Sequence, residues 1–183
     1  AEIPEQDLEQ IPLWWLHRST YKLPPDTFEY AASLAGSIVR YFSRSGQVVG
    51  FASQTRKRIV LSSERGERQL KKILKTLSLM SPDGNDPIIS LVETQAAFLP
   101  RGSTVIIITP STHPSTVAAA ASLIRRGMNP VIILLDPSSF GRYYGVSTVV
   151  GSLQKWKVPH LVVRFGQDLK QVIEHGFPET QVK

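Results

Sequence analysis

Cysteine is missing from all 183 residues of the chain. Its absence excludes disulfide bonds, thiolate metal sites and cysteine nucleophiles. It fits a reducing compartment, so we expect a cytoplasmic protein or the cytoplasmic part of a membrane-anchored one. No apolar run approaches the roughly 18 residues that a membrane-spanning helix needs. The chain starts at Ala1 without an initiator Met or a signal-like segment, so we read it as a piece of something longer, with an upstream anchor left open.

The phosphate-binding and catalytic motifs of many α/β proteins are missing as well. The sequence has no Gly-x-Gly-x-x-Gly after a predicted strand and no Gly-x-x-x-x-Gly-Lys-Ser/Thr, which argues against nucleotide binding of those kinds. The Gly-x-Ser-x-Gly turn of a nucleophile elbow is also missing. None of the four histidines is four residues from another, which excludes a helical zinc pair. We therefore expect no metal, no cofactor and no small-molecule substrate.

Charge is unevenly distributed along the chain. Residues 54–75 carry eight basic side chains and two acidic ones, an excess equal to the net charge of +6, whereas the first nine residues carry four acids and no base. The basic side chains, called the basic patch, are Arg56, Lys57, Arg58, Arg65, Arg68, Lys71, Lys72 and Lys75. Such a patch is a docking surface for an acidic partner, nucleic acid or anionic lipid, or else a solvated helix face beside a charge-protected edge strand. We favour the solvated face.

The fold class follows from apolar runs that do not alternate with polar residues. Val105 to Ile108 are four successive β-branched residues, which is typical of a strand covered on both faces in a parallel sheet. We predict strands at residues 11–16, 47–52, 58–62, 104–109, 130–136 and 160–164, with helices between them. This alternation predicts an α/β fold whose strands are mostly parallel and joined by right-handed crossovers.

Polar residues follow the strand at residues 104–109, at the edge where open α/β sheets place their binding crevices. His17 and His113 both lie in loops at this predicted carboxyl edge. With Ser19 or Ser111 and a carboxylate, either histidine could form a nucleophile–base pair. Loop histidines beside serines are more often caps or solvated groups, and no oxyanion hole can be assigned. A hydrolase is therefore a distant alternative.

The loop at residues 137–146 is rich in aromatic side chains. Phe140, Tyr143 and Tyr144 look exposed, and Arg142 lies among them. These residues could stack on bases or anchor a partner. The alternative is an Ω-like loop packed on itself, which we favour.

Several stretches, in the right order, resemble a known family. They are Asp-Thr-Phe-Glu-Tyr-Ala-Ala-Ser-Leu-Ala at residues 26–35, Val-Val-Gly-Phe at 48–51, Gly-Glu-Arg-Gln-Leu-Lys-Lys-Ile-Leu at 66–74, Val-Ile-Ile-Ile-Thr at 105–109 and Gly-Gln-Asp-Leu at 166–169. Together they resemble the bacterial domain-of-unknown-function family fifty-eight, which is similar to a von Willebrand factor A domain. The resemblance implies a three-layer, doubly wound sheet of six strands ordered 3-2-1-4-5-6, with the third strand antiparallel. It implies one domain over residues 11–176, between an acidic extension (1–10) and a tail (177–183).

Many A domains bind Mg²⁺ at the carboxyl edge through Asp-x-Ser-x-Ser, a threonine and a further aspartate, because this hard cation prefers oxygen ligands. This chain has Arg18 and Ser19 after the first strand, Asn85 at the threonine position, and Thr109-Pro110 where the last aspartate is expected. A cationic side chain without carboxylates would repel a divalent ion. We predict a degenerate site without metal whose loops bind a protein partner. The predicted contacts are His17, Arg18, Ser19, Thr20, Asn85, Thr109, Ser111 and His113.

The resemblance also implies a function in protein assembly, because relatives often occur beside MoxR-type AAA+ ATPases. We predict a non-enzymatic interaction or scaffold domain that works with such an ATPase. The alternative from another class is a module that binds nucleic acid or an anionic surface through the basic patch. Such binding weakens steeply and log-linearly with salt, which distinguishes the two. A membrane contact is expected only through a segment outside this chain.

Overall fold

The computed structural model describes residues 23–24, 26–55, 57–84 and 87–176. The described helices are α1 (Thr27–Arg44), α2 (Glu67–Leu79), α3 (Ile88–Ala96), α4 (Ser115–Arg125), α5 (Ser147–Lys155) and α6 (Leu169–Gly176). The described strands are β1 (Val49–Gln54), β2 (Arg58–Glu64), β3 (Thr104–Thr109), β4 (Asn129–Leu135) and β5 (His160–Val163). A short 3₁₀ helix, Pro137–Phe140, follows β4. The prediction of an α/β protein is confirmed.

The described strands form two sheets. β3, β4 and β5 make a parallel three-stranded sheet in that order, and β1 and β2 make an antiparallel hairpin. The predicted strand at residues 11–16 lies outside the described residues. The described part of the chain therefore does not show one six-stranded sheet, although the hairpin and the parallel strands lie where the sequence predicts them.

β4 is the centre of the parallel sheet. The side chains of Ile132, Ile133, Leu134 and Leu135 are fully buried. Successive side chains of a strand point to opposite faces. Ile132 and Leu134 accordingly pack into one apolar cluster with residues of α3, α4 and α5, and Ile133 and Leu135 into another with residues of α1 and α6. Burial on both faces explains why the β4 sequence shows no apolar–polar alternation.

Helix α1 begins at a side-chain cap. The Asp26 carboxylate accepts a hydrogen bond of 2.7 Å from the Phe28 N–H, which satisfies one of the free donors of the first turn. Along the helix, Leu34 packs into the α1/α6 cluster of the parallel sheet and Val39 into a third cluster with α2 and the hairpin. The apolar stripe of Ala31, Leu34, Ala35, Ile38 and Phe42 predicts that Phe42 is buried, but it is 36% exposed. Helix α1 thus contacts both sheets.

Helix α2 is attached to the hairpin by a buried amide. Gln69 donates from Nε2 to the carbonyl oxygens of Val49 at 3.0 Å and Ser62 at 2.7 Å. These carbonyls belong to the two strands of the hairpin, next to the shift in register between Val49 and Phe51. The apolar face of α2, with Leu70, Ile73 and Leu77 buried, faces inward. The basic side chains of α2 are therefore left on the outer face.

No described helix is both long enough and apolar enough to cross a membrane.

Candidate functional site

The loop from β3 to α4 contains the three predicted edge residues that the structure describes. Thr109 is buried, and its Oγ1 accepts a hydrogen bond of 3.1 Å from the Ser111 N–H. Ser111 Oγ accepts in turn from the His113 N–H at 3.3 Å. The structure therefore brings Thr109, Ser111 and His113 together, but in a chain of bonds that fixes the loop.

His113 forms its side-chain hydrogen bond with a serine other than the predicted one. The Nδ1 atom of His113 lies 2.9 Å from Ser115 Oγ and accepts from the Ser115 N–H at 3.1 Å. The ring therefore caps the start of α4. The next N–H groups are also occupied, since Thr116 donates to the His113 carbonyl and Val117 to the Pro114 carbonyl. These donors do not form an oxyanion hole beside Ser115, which argues against a nucleophilic role for the pair.

Asp136 is a buried carboxylate at the carboxyl end of β4 that sequence reasoning did not select. Its Oδ1 accepts from the N–H of Ser138 at 3.2 Å and from the Ser138 hydroxyl at 2.8 Å. Its Oδ2 lies 3.4 Å from Arg164 Nε, at the end of β5. Asp136 thus caps the 3₁₀ helix and connects two strand ends. The Asp-Pro pair directly after a buried strand was the signal that could have identified it.

An aromatic cluster closes one side of the carboxyl edge. The ring centroid of Phe140 lies 5.0 Å from that of Tyr30 and 5.7 Å from that of Phe165. The Tyr30 hydroxyl accepts a hydrogen bond of 2.9 Å from the Gly166 N–H. The expectation that Phe140 is exposed is therefore wrong, because its ring packs between α1 and the loop after β5.

The remainder of the same loop projects into solvent. Tyr143 is fully exposed, and Tyr144 and Arg142 are exposed as well. The loop thus divides into a packed half around Phe140 and an outer half with two tyrosines and an arginine. Only the packed half follows the prediction of a loop folded on itself.

The described edge does not suit a divalent cation. The described residues contain no group of three or more His, Asp or Glu side chains that could hold a metal. Thr109 Oγ1 already accepts a hydrogen bond, and the Asp136 carboxylate already accepts from Ser138 and Arg164. The remaining predicted contacts, His17, Arg18, Ser19, Thr20 and Asn85, lie outside the described residues.

The basic patch is only partly brought together. Arg56 lies outside the described residues, Lys57 lies in the turn of the hairpin, and Arg65 lies between β2 and α2. Arg58 begins β2 and donates from Nε to Gln54 Oε1 at 3.1 Å. The other four side chains line one open groove of about 410 Å³ on α2, which we call the basic groove. They are Arg68, Lys71, Lys72 and Lys75.

Comparison of this chain with protein-family models, with curated proteins and with solved structures found no match. The resemblance to the A-type family therefore stays a prediction.

Proposed function

We propose that this chain is a non-enzymatic protein-interaction domain of the A type, whose partner binds at the carboxyl edge of the parallel sheet. One contrast supports the proposal. The polar side chains of this edge, such as Thr109, His113 and Asp136, are engaged in bonds that hold their own loops. Tyr143 and Tyr144, on the same edge, are exposed to solvent. In its described part, such an edge offers a fixed surface for binding, with its polar groups engaged in structural hydrogen bonds.

The exposed residue types are those that dominate protein interfaces. Tyrosine and arginine are enriched among the residues that contribute most to binding energy. A tyrosine ring supplies a large contact area at a small cost in side-chain entropy, since it has only two rotatable side-chain angles. Arg142, Tyr143 and Tyr144 would therefore form the centre of the contact. The predicted contacts His17, Arg18, Ser19, Thr20 and Asn85 would extend it.

The partner we propose is a AAA+ ATPase of the MoxR type, as the family resemblance implies. In this proposal the metal site is degenerate, because β3 ends in Thr109-Pro110 and Asp136, the buried carboxylate among the described residues of this edge, pairs with Arg164. In A domains that bind Mg²⁺, the ion leaves one coordination position for a carboxylate of the partner. In this chain, direct contacts between side chains would take the place of that bridge.

We further propose that residues 11–16 form a strand between β1 and β3. This strand would join the two sheets into one sheet of six strands, in the order β2, β1, residues 11–16, β3, β4, β5. With all six strands numbered along the chain, this is the order 3-2-1-4-5-6 that the family resemblance implies. Two observations support this. Ile108 of β3 is only half-buried, whereas Ile133, its partner in β4, is fully buried. Helix α1 packs against both sheets, so the edges of β1 and β3 that have no partner among the described strands lie under the same helix.

Affinity capture with matched variants tests the interaction. One bait carries Tyr143→Ser and Tyr144→Ser at the carboxyl edge. The control bait carries Phe98→Ser and Trp156→Ser, which removes two exposed aromatic rings just after α3 and α5, at the opposite end of the sheet. We expect wild type and control to recover the same AAA+ ATPase, and the edge variant to recover about tenfold less, corresponding to about 1.4 kcal/mol.

Equal recovery of the ATPase by all three baits would contradict the proposal, as would recovery of no ATPase by the wild-type bait. Circular dichroism of each bait verifies that the substitutions leave the fold intact.

A further inference from the structure

The amino edge of the parallel sheet, where β3, β4 and β5 begin, is formed by the turns that follow three helices. Helices α3, α4 and α5 pack on one face of the sheet, and each leads into one of these strands. Because the strands are parallel neighbours, the three turns lie side by side at this edge. The turns are residues 97–103, 126–128 and 156–159.

Backbone hydrogen bonds hold these turns in place. The Gly102 N–H donates to the Gly127 carbonyl at 2.8 Å, and Asn129 Nδ2 donates to the Gly102 carbonyl at 3.1 Å. The Pro159 carbonyl accepts from the Ile132 N–H at 2.9 Å. The amino edge is therefore one continuous surface.

The amino edge carries positive charge that no described acid neutralises. The nearest acidic residue along these segments is Glu93, three residues before the end of α3. The ion pairs of the described chain involve Lys72 and Arg164, which lie elsewhere. The cationic side chains of the edge are all exposed, and they are Arg101, Arg125, Arg126, Lys155 and Lys157.

Helix stability accounts for only part of this charge. Arg125 and Lys155 end α4 and α5, where a cation interacts favourably with the helix dipole. Lys157 has the opposite effect on stability, because its φ of 54° lies in the left-handed region. The equivalent residue after α4 is Gly127, which adopts this conformation without strain. A lysine kept at such a position indicates a function for its charge.

Each of the three helix ends also exposes one large apolar side chain. Phe98 is 80% exposed, Ile124 46% and Trp156 61%. Apolar side chains that insert among lipid headgroups, flanked by lysine and arginine, are typical of proteins that bind to a membrane surface. Tryptophan in particular prefers the boundary between lipid and water.

The spacing of the rings favours lipid over single-stranded nucleic acid. Helix α4 packs between α3 and α5, so Phe98 and Trp156 lie about two helix spacings apart, roughly 18 Å. Successive bases need ring faces close together, and Ile124 offers none between them. A lipid surface has no such requirement, because each side chain inserts independently.

We propose that the amino edge binds the surface of a membrane that contains anionic lipid. This contact replaces the expectation that only a segment outside this chain meets a membrane. It leaves the carboxyl edge, at the other end of the sheet, facing away from the lipid and open to a protein partner.

Cosedimentation of the full chain with vesicles tests the contact. We expect binding to phosphatidylcholine vesicles with about 30% phosphatidylserine, and little binding to phosphatidylcholine alone. Phe98→Ser with Trp156→Ser should weaken binding at least tenfold. The matched control is Tyr41→Ser with Leu79→Ser, which removes two exposed apolar side chains elsewhere and should change nothing.

Charge reversal locates the electrostatic contact. Lys155→Glu with Lys157→Glu should abolish binding, whereas Lys71→Glu with Lys75→Glu, the same change of charge in the basic groove, should leave it intact. In about 0.5 M salt, where charges are screened beyond about 4 Å, binding should fall at least fivefold.

Lys157→Gly separates binding from folding. It removes one cation and relieves the left-handed lysine, so the melting temperature should rise while vesicle binding weakens about fivefold. Circular dichroism verifies the fold of every variant.

Equal losses from charge reversal at the amino edge and in the basic groove would overturn the proposal, as would equal binding to neutral vesicles. A labelled oligothymidylate that binds wild type, but not the Lys155→Glu, Lys157→Glu variant, while vesicles do not bind, would assign the edge to nucleic acid instead. Partner capture at the carboxyl edge is measured without lipid, so the two proposals fail separately.

Discussion

Gln69 shows how one side chain can hold three elements in place. Its amide is almost completely buried and donates to carbonyls on β1 and on β2 from a position on α2. Each of these hydrogen bonds contributes about 1 kcal/mol to stability. The attachment of α2 to the hairpin therefore depends on this residue, and with it the orientation of the basic groove.

We predict that Gln69→Leu lowers the free energy of unfolding by about 2 kcal/mol, because the two hydrogen bonds from its buried amide to the hairpin are lost. Urea denaturation measures the change as a shift of the midpoint at constant slope. Gln154→Leu is the matched control at an exposed helical position, where the change should stay within about 0.5 kcal/mol. Equal shifts in the two variants would show that the Gln69 bonds contribute nothing specific.

The bonding of His113 shows where prediction from sequence ends at this scale. The sequence places His113 at a loop edge among serines, and the structure agrees. Whether its ring binds Ser111 or Ser115 depends on the turn that starts α4. In the structure Ser111 Oγ binds the backbone of His113, while Ser115 Oγ binds the ring. Residue types alone do not decide between these two arrangements.

At the scale of elements, two glycines on different segments have opposite structural roles. Gly84 lies in the loop between α2 and α3, against the backbone of Gln54 at the end of β1, where a Cβ atom would clash with a carbonyl oxygen. Gly151 lies inside α5, and a Cβ atom there would meet nothing within 4 Å. The first glycine permits a close contact between elements, and the second only weakens its own helix.

We therefore predict effects of opposite sign for the same substitution. Gly84→Ala should destabilise the protein by about 2 kcal/mol, because the loop must move away from β1. Gly151→Ala should stabilise it by about 0.5 to 1 kcal/mol through the better helix propensity of alanine. Thermal unfolding followed by circular dichroism measures both. A destabilised Gly151→Ala, or a neutral Gly84→Ala, would contradict the packing described for that position.

Strands and helices were predicted well where the pattern of apolar residues alone determines them. The burial of single side chains was predicted poorly where it depends on tertiary packing. The run at β4 predicts a strand with both faces covered, and that is what it forms, whereas the run at β3 forms the predicted strand with Ile106 and Ile108 only half-buried. Phe42 and Phe140 were assigned from local pattern alone. Phe42 lies near the end of α1 and is 36% exposed, and Phe140 gains its contacts from Tyr30 and Phe165, distant in sequence.

At the scale of the whole molecule, the proposed strand at residues 11–16 decides whether the two sheets are continuous. In the described part of the chain, β3 pairs only with β4, and β1 pairs only with β2. The proposed strand at residues 11–16 would pair with both free edges. The amide groups of β3 that face away from β4 report directly on this pairing.

We predict that successive amides of β3 exchange slowly with solvent, as expected for a strand paired on both sides. β4 is the control for a central strand. β5 is the control for an edge strand, since within the described residues it pairs only with β4, and its alternate amides should exchange fast. Hydrogen exchange measured by nuclear magnetic resonance resolves each amide. An alternating fast and slow pattern in β3 would exclude a strand beside it.

Helix α1 couples the unfolding of the two sheets. Because Leu34 is part of the apolar cluster of the parallel sheet and Val39 part of the hairpin cluster, neither sheet can melt without exposing one half of the helix. The unfolding of either sheet therefore destabilises the other, because both pack against the same helix. Heating should produce one cooperative transition with a calorimetric enthalpy equal to the van't Hoff enthalpy, and not two separate steps.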